Sequence, residues 1–265
     1  MTKPATYAVS PTKVFLALLS RDARVTRREL PFFLIRTTMQ PLMFIVVFGF
    51  LLPKMGFLGA QYKATLLPGI LGISLTMSAI QSVALPMMQD FGWTNEIEDR
   101  LLAPIPIPLI AIEKILVGTI QGVIAGLFVL PLARLIMGPI PGLTLTHIGE
   151  TVGIALLGSA TFSAIGLFMG TAIKPQQIGF MFSLIIAPMI FFGCAYYPWR
   201  GLDVVPVMKY AVLINPLVYV AEGLRGVLTP NGPHMPLPVV VAALSGILLI
   251  VGWLGVNSFL RRALK

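Results

Sequence analysis

The charged residues of this 265-residue chain are crowded into a few short stretches, and long apolar runs lie between them. A helix needs about 20 apolar residues to cross about 30 Å of hydrocarbon, and six runs approach or exceed that length. They lie at residues 32–52, 64–89, 107–133, 148–172, 177–197 and 237–260. The last five have no charged residue in their central parts, and the first contains only Arg36, near one end. With 57% hydrophobic and 11% charged residues, the sequence predicts an all-α polytopic membrane protein with six transmembrane helices.

The basic residues predict the orientation, because short loops on the cytoplasmic side of a membrane are enriched in Lys and Arg. Basic residues precede the first run, flank the loop between the second and third runs and follow the last run, whereas fewer lie on the opposite side. We therefore expect a multi-pass protein of the inner (plasma) membrane with both termini in the cytoplasm. Orientation and attraction to lipid headgroups explain the net charge of +9, so no nucleic-acid partner is expected.

Residues 11–30 predict an amphipathic helix that lies in the membrane interface before the first span. Arg21, Arg24 and Arg28 recur at i, i+3 and i+7, which places them on one face, with apolar residues on another. A solvated basic arm is the alternative interpretation. Pro31 predicts a bend between this helix and the first span.

Residues 94–103, between the second and third spans, form the most chemically distinctive cytoplasmic segment. Thr94 or Asn95 can cap a short helix whose first turn is acidic, which suits the positive end of the helix dipole. We expect an exposed helix of about two turns that contacts a protein partner, with a solvated connector as the alternative. The candidate contact residues are Glu96, Ile97, Glu98, Asp99, Arg100 and Leu101.

Residues 198–229 are apolar but rich in helix-breaking residues, which predicts short re-entrant helices on the outer side. Asn215 and Pro216 form a helix start, with Asn as the cap and Pro at the first helical position. Tyr219, Glu222 and Arg225 follow at i, i+3 and i+6, so Glu222 and Arg225 can form an ion pair. A structural pair is favoured over a catalytic role for Glu222, and a structural pair predicts that exchanging the two residues restores what the single changes lose.

Small residues at four-residue spacing predict close helix packing, because they let helices approach where lipid gives no hydrophobic drive to associate. Gly118, Gly122 and Gly126 form one stripe in the third span, and Gly166 with Gly170 forms another in the fourth. The spacing does not distinguish packing within a subunit from packing between subunits. His147 and His234 stand alone in loops, so no metal site is expected.

In this order, the segments resemble the permease subunits of ABC-2 type exporters, which include daunorubicin-type drug, nodulation-factor and O-antigen exporters. The resemblance covers nearly the whole chain. Residues 96–106 match the family's coupling-helix region, where an acidic-Arg-Leu-Leu run precedes a Pro, and residues 215–225 match its Asn-Pro-Leu signature. One departure is the pair Trp93-Thr94, where many relatives have Gly-Thr; it bears on partner specificity.

The resemblance implies a single transmembrane domain over residues 1–265 and a homodimer or pseudo-dimer, with two cytoplasmic ABC ATPase subunits docked beneath it. Residues 11–30 would then be the connecting helix, residues 94–103 the coupling helix and residues 198–229 part of the outer gate. This sequence has no Gly-x-x-x-x-Gly-Lys-Ser/Thr phosphate loop. We therefore expect no enzyme activity and no cofactor in this chain, with ATP and Mg bound by the partner ATPase.

The composition of the spans gives a weak indication of the cargo. Apolar, uncharged spans favour a hydrophobic or amphipathic substrate, such as a drug or a lipid-like molecule. Export of a lipid-linked glycan is the alternative, because several Phe residues that could stack on sugars crowd the first span. An ion-coupled secondary transporter is less expected, because such proteins place ionisable residues near mid-membrane.

Overall fold

The computed structural model describes residues 10–59, 61–92, 102 and 104–264, and within these residues the chain is all-helical, as predicted. Among the described residues, five helices are long and apolar enough to cross a membrane. The helices are α1 (Pro11–Phe44), α2 (Tyr62–Gly92), α3 (Ile107–Met137), α4 (Ile148–Ala172), α5 (Pro175–Phe191), α6 (Pro206–Ala211), α7 (Pro216–Leu228) and α8 (Leu237–Ala263).

Helix α1 is continuous through Pro31, the residue at which the sequence predicts a bend between an interfacial helix and the first span. That bend stays a prediction. The helix continues as helical turns to Lys54. A proline inside a helix removes one backbone hydrogen bond, and the adjoining turns tolerate that loss. At about 1.5 Å per residue, a helix from Thr12 to Lys54 extends about 65 Å, roughly twice the hydrocarbon thickness. Part of α1 therefore projects beyond the hydrocarbon.

Two helices widen into π-helical turns directly before a proline. The turns Ile45–Leu51 precede Pro53, and the turns Met181–Ile186 precede Pro188. A proline ring clashes with the carbonyl group four residues earlier, and a wider turn relieves that clash. Both prolines thus stay within helical segments, an accommodation that the apolar pattern alone did not predict.

The fifth apolar run forms α5, which is shorter than the predicted span at residues 177–197. The C-terminal ends of α4 and α8 lie together, because the Arg262 guanidinium donates to the carbonyl of Thr171 at 2.7 Å. These two helices therefore run in the same direction, and the chain must return to the other end of the bundle between them. Helix α5 makes that return. That α5 crosses the membrane as a sixth span stays a prediction.

The segment after α5 folds into the short, interrupted helices that its composition predicts. A 3₁₀ turn at Trp199–Val204 leads into α6, and the helical pair Pro206–Ile214 and Pro216–Leu228 bends by 101°. That angle fits a re-entrant pair or one broken span. Helix α7 lies deep in the protein, and Arg225 is the largest fully buried side chain of the described residues.

Candidate functional site

The end of the bundle where α2 begins is built around a buried ion pair on α7. Helix α7 starts where the sequence predicts, because the Asn215 side chain accepts a hydrogen bond from the Leu217 amide at 3.0 Å and Pro216 occupies the first turn. Glu222 and Arg225 follow on one face and form an ion pair. Their side chains are 0% and 1% exposed, so neither charge reaches solvent.

The Glu222 carboxylate also accepts two backbone hydrogen bonds from distant segments. Its Oε1 atom accepts from the Trp199 amide at 2.8 Å, and its Oε2 atom accepts from the Met235 amide at 2.8 Å. A buried carboxylate needs such donors to offset the loss of water. Glu222 is therefore saturated by protein groups and inaccessible, which favours a structural over a catalytic role.

The Arg225 guanidinium donates to backbone carbonyls on the other side of the pair. Its second terminal nitrogen donates to the carbonyls of Cys194 at 3.0 Å and Thr65 at 3.2 Å. Cys194 has a φ of 52°, a left-handed conformation that is uncommon outside glycine. Arg225 thus joins the first turn of α2 to the turn that follows α5.

Asn215 and Tyr219 complete the same junction through further backbone contacts. The Asn215 amide nitrogen donates to the carbonyl of Met189 at 2.7 Å, so this side chain caps α7 and holds the end of α5. The Tyr219 hydroxyl donates to the carbonyl of Leu213 at 2.9 Å, which ties α7 to the turn before it. We call the residues Asn215, Tyr219, Glu222 and Arg225 with their backbone partners the polar junction.

The predicted glycine stripes pack helices within one chain. A Cβ atom added at Gly118 would lie 2.4 Å from a Val83 methyl group, so α3 lies directly against α2 there. A Cβ atom added at Gly166 or Gly170 would lie 2.8 Å from a backbone carbonyl oxygen of α2. Gly122 and Gly126 make similarly close approaches to Leu75 on α2. These distances show the intramolecular packing that the spacing alone left open.

At the opposite end of the bundle, the predicted contact residues on α1 lie at the surface. Arg21, Arg24 and Arg28 are all exposed, and the Arg24 Nε–H donates to the carbonyl of Ser20 at 3.3 Å. The predicted contact residues of the other segment lie outside the described residues, which resume at Leu102 and then from Pro104 onward. They are Glu96, Ile97, Glu98, Asp99, Arg100 and Leu101.

A buried charge cluster joins α1 to α3, and sequence reasoning missed it. The Lys114 ammonium pairs with the Asp22 carboxylate and lies 3.4 Å from Glu113 Oε2. One turn further along α1, the Gln121 amide donates to the Thr26 hydroxyl at 2.7 Å. The adjacent Glu113 and Lys114 in an otherwise apolar run were the available signal. We call Asp22, Glu113 and Lys114 the α1–α3 charge cluster.

The described residues offer no metal site, because no three His, Cys, Asp or Glu side chains among them come together to hold an ion. In the polar junction neither charged side chain is accessible, because Glu222 and Arg225 are 0% and 1% exposed. The polar junction and the charge cluster instead hold helices together at the two ends of the bundle.

Comparison with known proteins assigns the family. The model of the family described as "ABC-2 type transporter" matches residues 13–229, which include α1 to α7 almost entirely. The inner membrane transport permease YadH of Escherichia coli strain K12 is 26% identical over 196 residues, covering 69% of this chain and 70% of YadH. YadH of Shigella flexneri matches to the same extent. Because the family match spans most of the sequence, this chain belongs to the ABC-2 type transporter family.

Proposed function

We propose that this chain is the membrane-spanning subunit of an ATP-binding cassette exporter. The family match over residues 13–229 is the observation that carries the proposal. Two copies would form the export pathway, and separate ABC ATPase subunits would bind ATP and Mg. The absence of a phosphate loop from this sequence supports that division of labour.

The proposed location is the inner membrane, with both termini in the cytoplasm. Related permeases named as inner membrane proteins, together with five long apolar helices, support the location. The excess of Lys and Arg before the first apolar run and after the last supports the orientation. The charge cluster and the exposed Arg21, Arg24 and Arg28 would then lie on the cytoplasmic side, and the polar junction on the outer side.

The proposed route for force leads into α3 from two directions. Residues 94–103 would contact the ATPase and lead directly into α3, which begins at Ile107. The Lys114–Asp22 pair and the Gln121–Thr26 hydrogen bond attach the N-terminal half of α1 to the same part of α3. A push on either predicted contact would therefore move α1 and α3 together. The polar junction would keep the outer ends of the helices in register during that movement.

The proposed cargo is a hydrophobic or amphipathic molecule. The mostly uncharged spans support this class, because a strongly charged solute would need ionisable groups along its route. In this proposal the exporter is driven by ATP hydrolysis on the partner and not by an ion gradient.

The test is co-purification of ATPase activity. The tagged chain is extracted from its native membrane with a mild detergent, and nucleotide hydrolysis and bound proteins are measured. We expect an ABC ATPase with the wild-type chain and its loss from a variant with Glu96→Lys, Glu98→Lys and Arg100→Glu. Glu150→Lys is the control, because Glu150 is an exposed acid at the start of α4, at the opposite end of the bundle.

Two results would contradict the proposal. One is unchanged ATPase association in the triple variant, which removes the coupling role of residues 94–103. The other is transport by the purified chain alone, reconstituted in vesicles, down an ion gradient and without nucleotide. That result would make the protein a secondary transporter.

A further inference from the structure

A polar cavity opens between α1, α2 and α3, separate from the polar junction. Its volume is about 400 Å³, within the range of small-molecule sites. Along α1 it is lined by a face that runs from Arg21 through Glu29 to Arg36. Gln81 on α2 and Gln121 on α3 contribute amide groups to the same cavity. We call this space the α1 cavity.

Two of the cations that line the α1 cavity, Lys114 and Arg36, differ in their partners. Lys114 lines the cavity but is neutralised by the carboxylates of Asp22 and Glu113. Arg36 lines the cavity and forms no hydrogen bond or ion pair with any described residue. It is also the one charged residue within the first apolar run. An ionisable residue within an apolar span normally faces a partner, a water-filled space or a ligand.

The position of Arg36 along α1 favours an anionic partner at membrane depth. Arg36 lies 15 residues beyond Arg21, which corresponds to about 22 Å along the helix axis. Glu29 is the acid nearest to Arg36 on that face, two turns away at about 10 Å, and the two do not pair. The guanidinium therefore presents uncompensated donors, whose planar fork suits phosphate oxygens. The neutral amide of Gln81, which makes no hydrogen bond with any described residue, offers a further donor.

Apolar side chains continue from the α1 cavity along the exposed surface of α1. Phe32 lines the cavity and is 70% exposed. Ile35, Met39 and Met43 follow at helical spacing, and all three are exposed. A molecule with a phosphate at Arg36 would find this apolar stripe directly beside its headgroup. The Arg36 cation, the Gln81 amide and the apolar stripe together suit an amphiphile better than a soluble anion.

We propose that the α1 cavity binds the phosphate-bearing headgroup of a membrane lipid, with Arg36 and Gln81 as phosphate ligands and the acyl chains along Phe32, Ile35 and Met39. The proposal is independent of the ATPase partner. It needs only the geometry of α1 and α2, so a failed ATPase co-purification and a failed lipid assay would be separate results.

The test is native mass spectrometry of the purified full chain in detergent. The added probes are dioleoyl phosphatidylglycerol, dioleoylglycerol with the same chains but no phosphate, and inorganic phosphate with no chains. We expect retention of phosphatidylglycerol and of neither other probe. If dioleoylglycerol binds as well as phosphatidylglycerol, the phosphate group has no role in binding. If inorganic phosphate alone binds through Arg36, the ligand of Arg36 is a free phosphate and not a lipid headgroup. Either result would overturn the proposal.

Single substitutions test whether the lipid headgroup binds in the α1 cavity. We expect Arg36→Gln to weaken phosphatidylglycerol binding about tenfold, the effect of losing one hydrogen bond to a charged group, and Arg36→Lys to weaken it less. Gln81→Leu should weaken binding several-fold without loss of a protein hydrogen bond, which separates a binding defect from a folding defect. Arg261→Gln is the control, because Arg261 is an exposed cation at the same end of the bundle outside the cavity. The proposal would be overturned if Arg261→Gln weakened phosphatidylglycerol binding as much as Arg36→Gln, or if Gln81→Leu bound the lipid as well as the wild-type chain.

Discussion

The Arg225 guanidinium and the Glu222 carboxylate form a buried ion pair, and the backbone groups around the two charges have opposite polarity. Backbone amides of Trp199 and Met235 point at Glu222, whereas backbone carbonyls of Cys194 and Thr65 point at Arg225. Each charge thus has its own set of complementary backbone groups. The pair is fixed in one orientation, unlike an exposed salt bridge, which has the same surroundings on both sides.

From sequence alone, exchanging the two residues is expected to restore the pair. The polarity of the backbone groups changes that prediction: the exchange should not restore stability. Glu222→Gln alone leaves a buried guanidinium without its counter-ion, which typically costs about 3–5 kcal/mol. In the chain that combines Glu222→Arg and Arg225→Glu, the guanidinium would face amide N–H groups and the carboxylate would face carbonyls. We expect a loss at least as large as in the single variant. The measurement is the thermal unfolding midpoint of the purified protein in detergent.

An exposed ion pair nearby supplies the control. Lys209 and Asp203 pair at 2.6 Å, with Asp203 62% exposed. Exposed pairs contribute about 0–1 kcal/mol, so Asp203→Asn should leave the midpoint nearly unchanged. If the exchanged Glu222 and Arg225 chain unfolds at the wild-type temperature, mutual attraction alone explains the pair and the polarised surroundings contribute nothing.

Asn215 gives a second prediction, because its side chain both accepts and donates. Asn215→Ala removes a helix cap, which costs about 0.5–2 kcal/mol, and also the hydrogen bond to Met189, worth about 1 kcal/mol. Asp is ordinarily as good a cap as Asn. Here Asn215→Asp should still destabilise, because a carboxylate oxygen would face the Met189 carbonyl. Unfolding midpoints of the Ala, Asp and Ser variants test this, and a wild-type midpoint for Asn215→Asp would refute it.

The polar junction shows which parts of the fold were predictable from sequence. The cap at Asn215 and the pairing of Glu222 with Arg225 depend on spacings of two or three residues, which a sequence displays directly. The remaining partners of Glu222 and Arg225 are backbone groups that lie 13 to 160 residues away, as with Met235 and Thr65. Backbone atoms are present at every position and give no residue-type signal. The network around the pair was therefore not predictable.

The helix packing and the α1–α3 charge cluster show the same contrast between short spacings, which a sequence displays, and distant partners, which it does not. Four-residue spacing predicted that Gly118 and Gly166 lie at close helix contacts, but it did not identify α2 as the partner of both. From sequence, Lys114 is one of the basic residues that flank the loop between the second and third apolar runs and indicate orientation. Its partner Asp22 lies 92 residues away in a strongly basic stretch, so the sequence did not identify Asp22 as that partner.

Gly166 gives a third prediction, with a control on the same helix. A Cβ atom at Gly166 would lie 2.8 Å from the Ile80 carbonyl oxygen and 3.1 Å from its Cα, so the α2 backbone would have to move. We expect Gly166→Ala to cost about 1–3 kcal/mol, as overpacking usually does. Gly153→Ala, also in α4, meets nothing within 4 Å and should stabilise by about 0.5–1 kcal/mol. Equal midpoints for the two variants would contradict the packing role of Gly166.

The charge cluster predicts how firmly the N-terminal half of α1 is held. Lys114→Met would remove the cation that pairs with Asp22 of α1 and lies 3.4 Å from Glu113 Oε2, so α1 should separate from α3 more often. Trypsin can then cleave after Arg24 and Arg28, and we expect that rate to rise about tenfold, which corresponds to about 1.4 kcal/mol of easier local opening. Adding Glu113→Gln removes one of the two like charges and should restore part of the protection. Cleavage after Arg261, exposed on α8, provides an internal reference for protease activity. Unchanged cleavage in Lys114→Met relative to that reference would mean that apolar packing alone holds α1, and the route for force through this cluster would have to be abandoned.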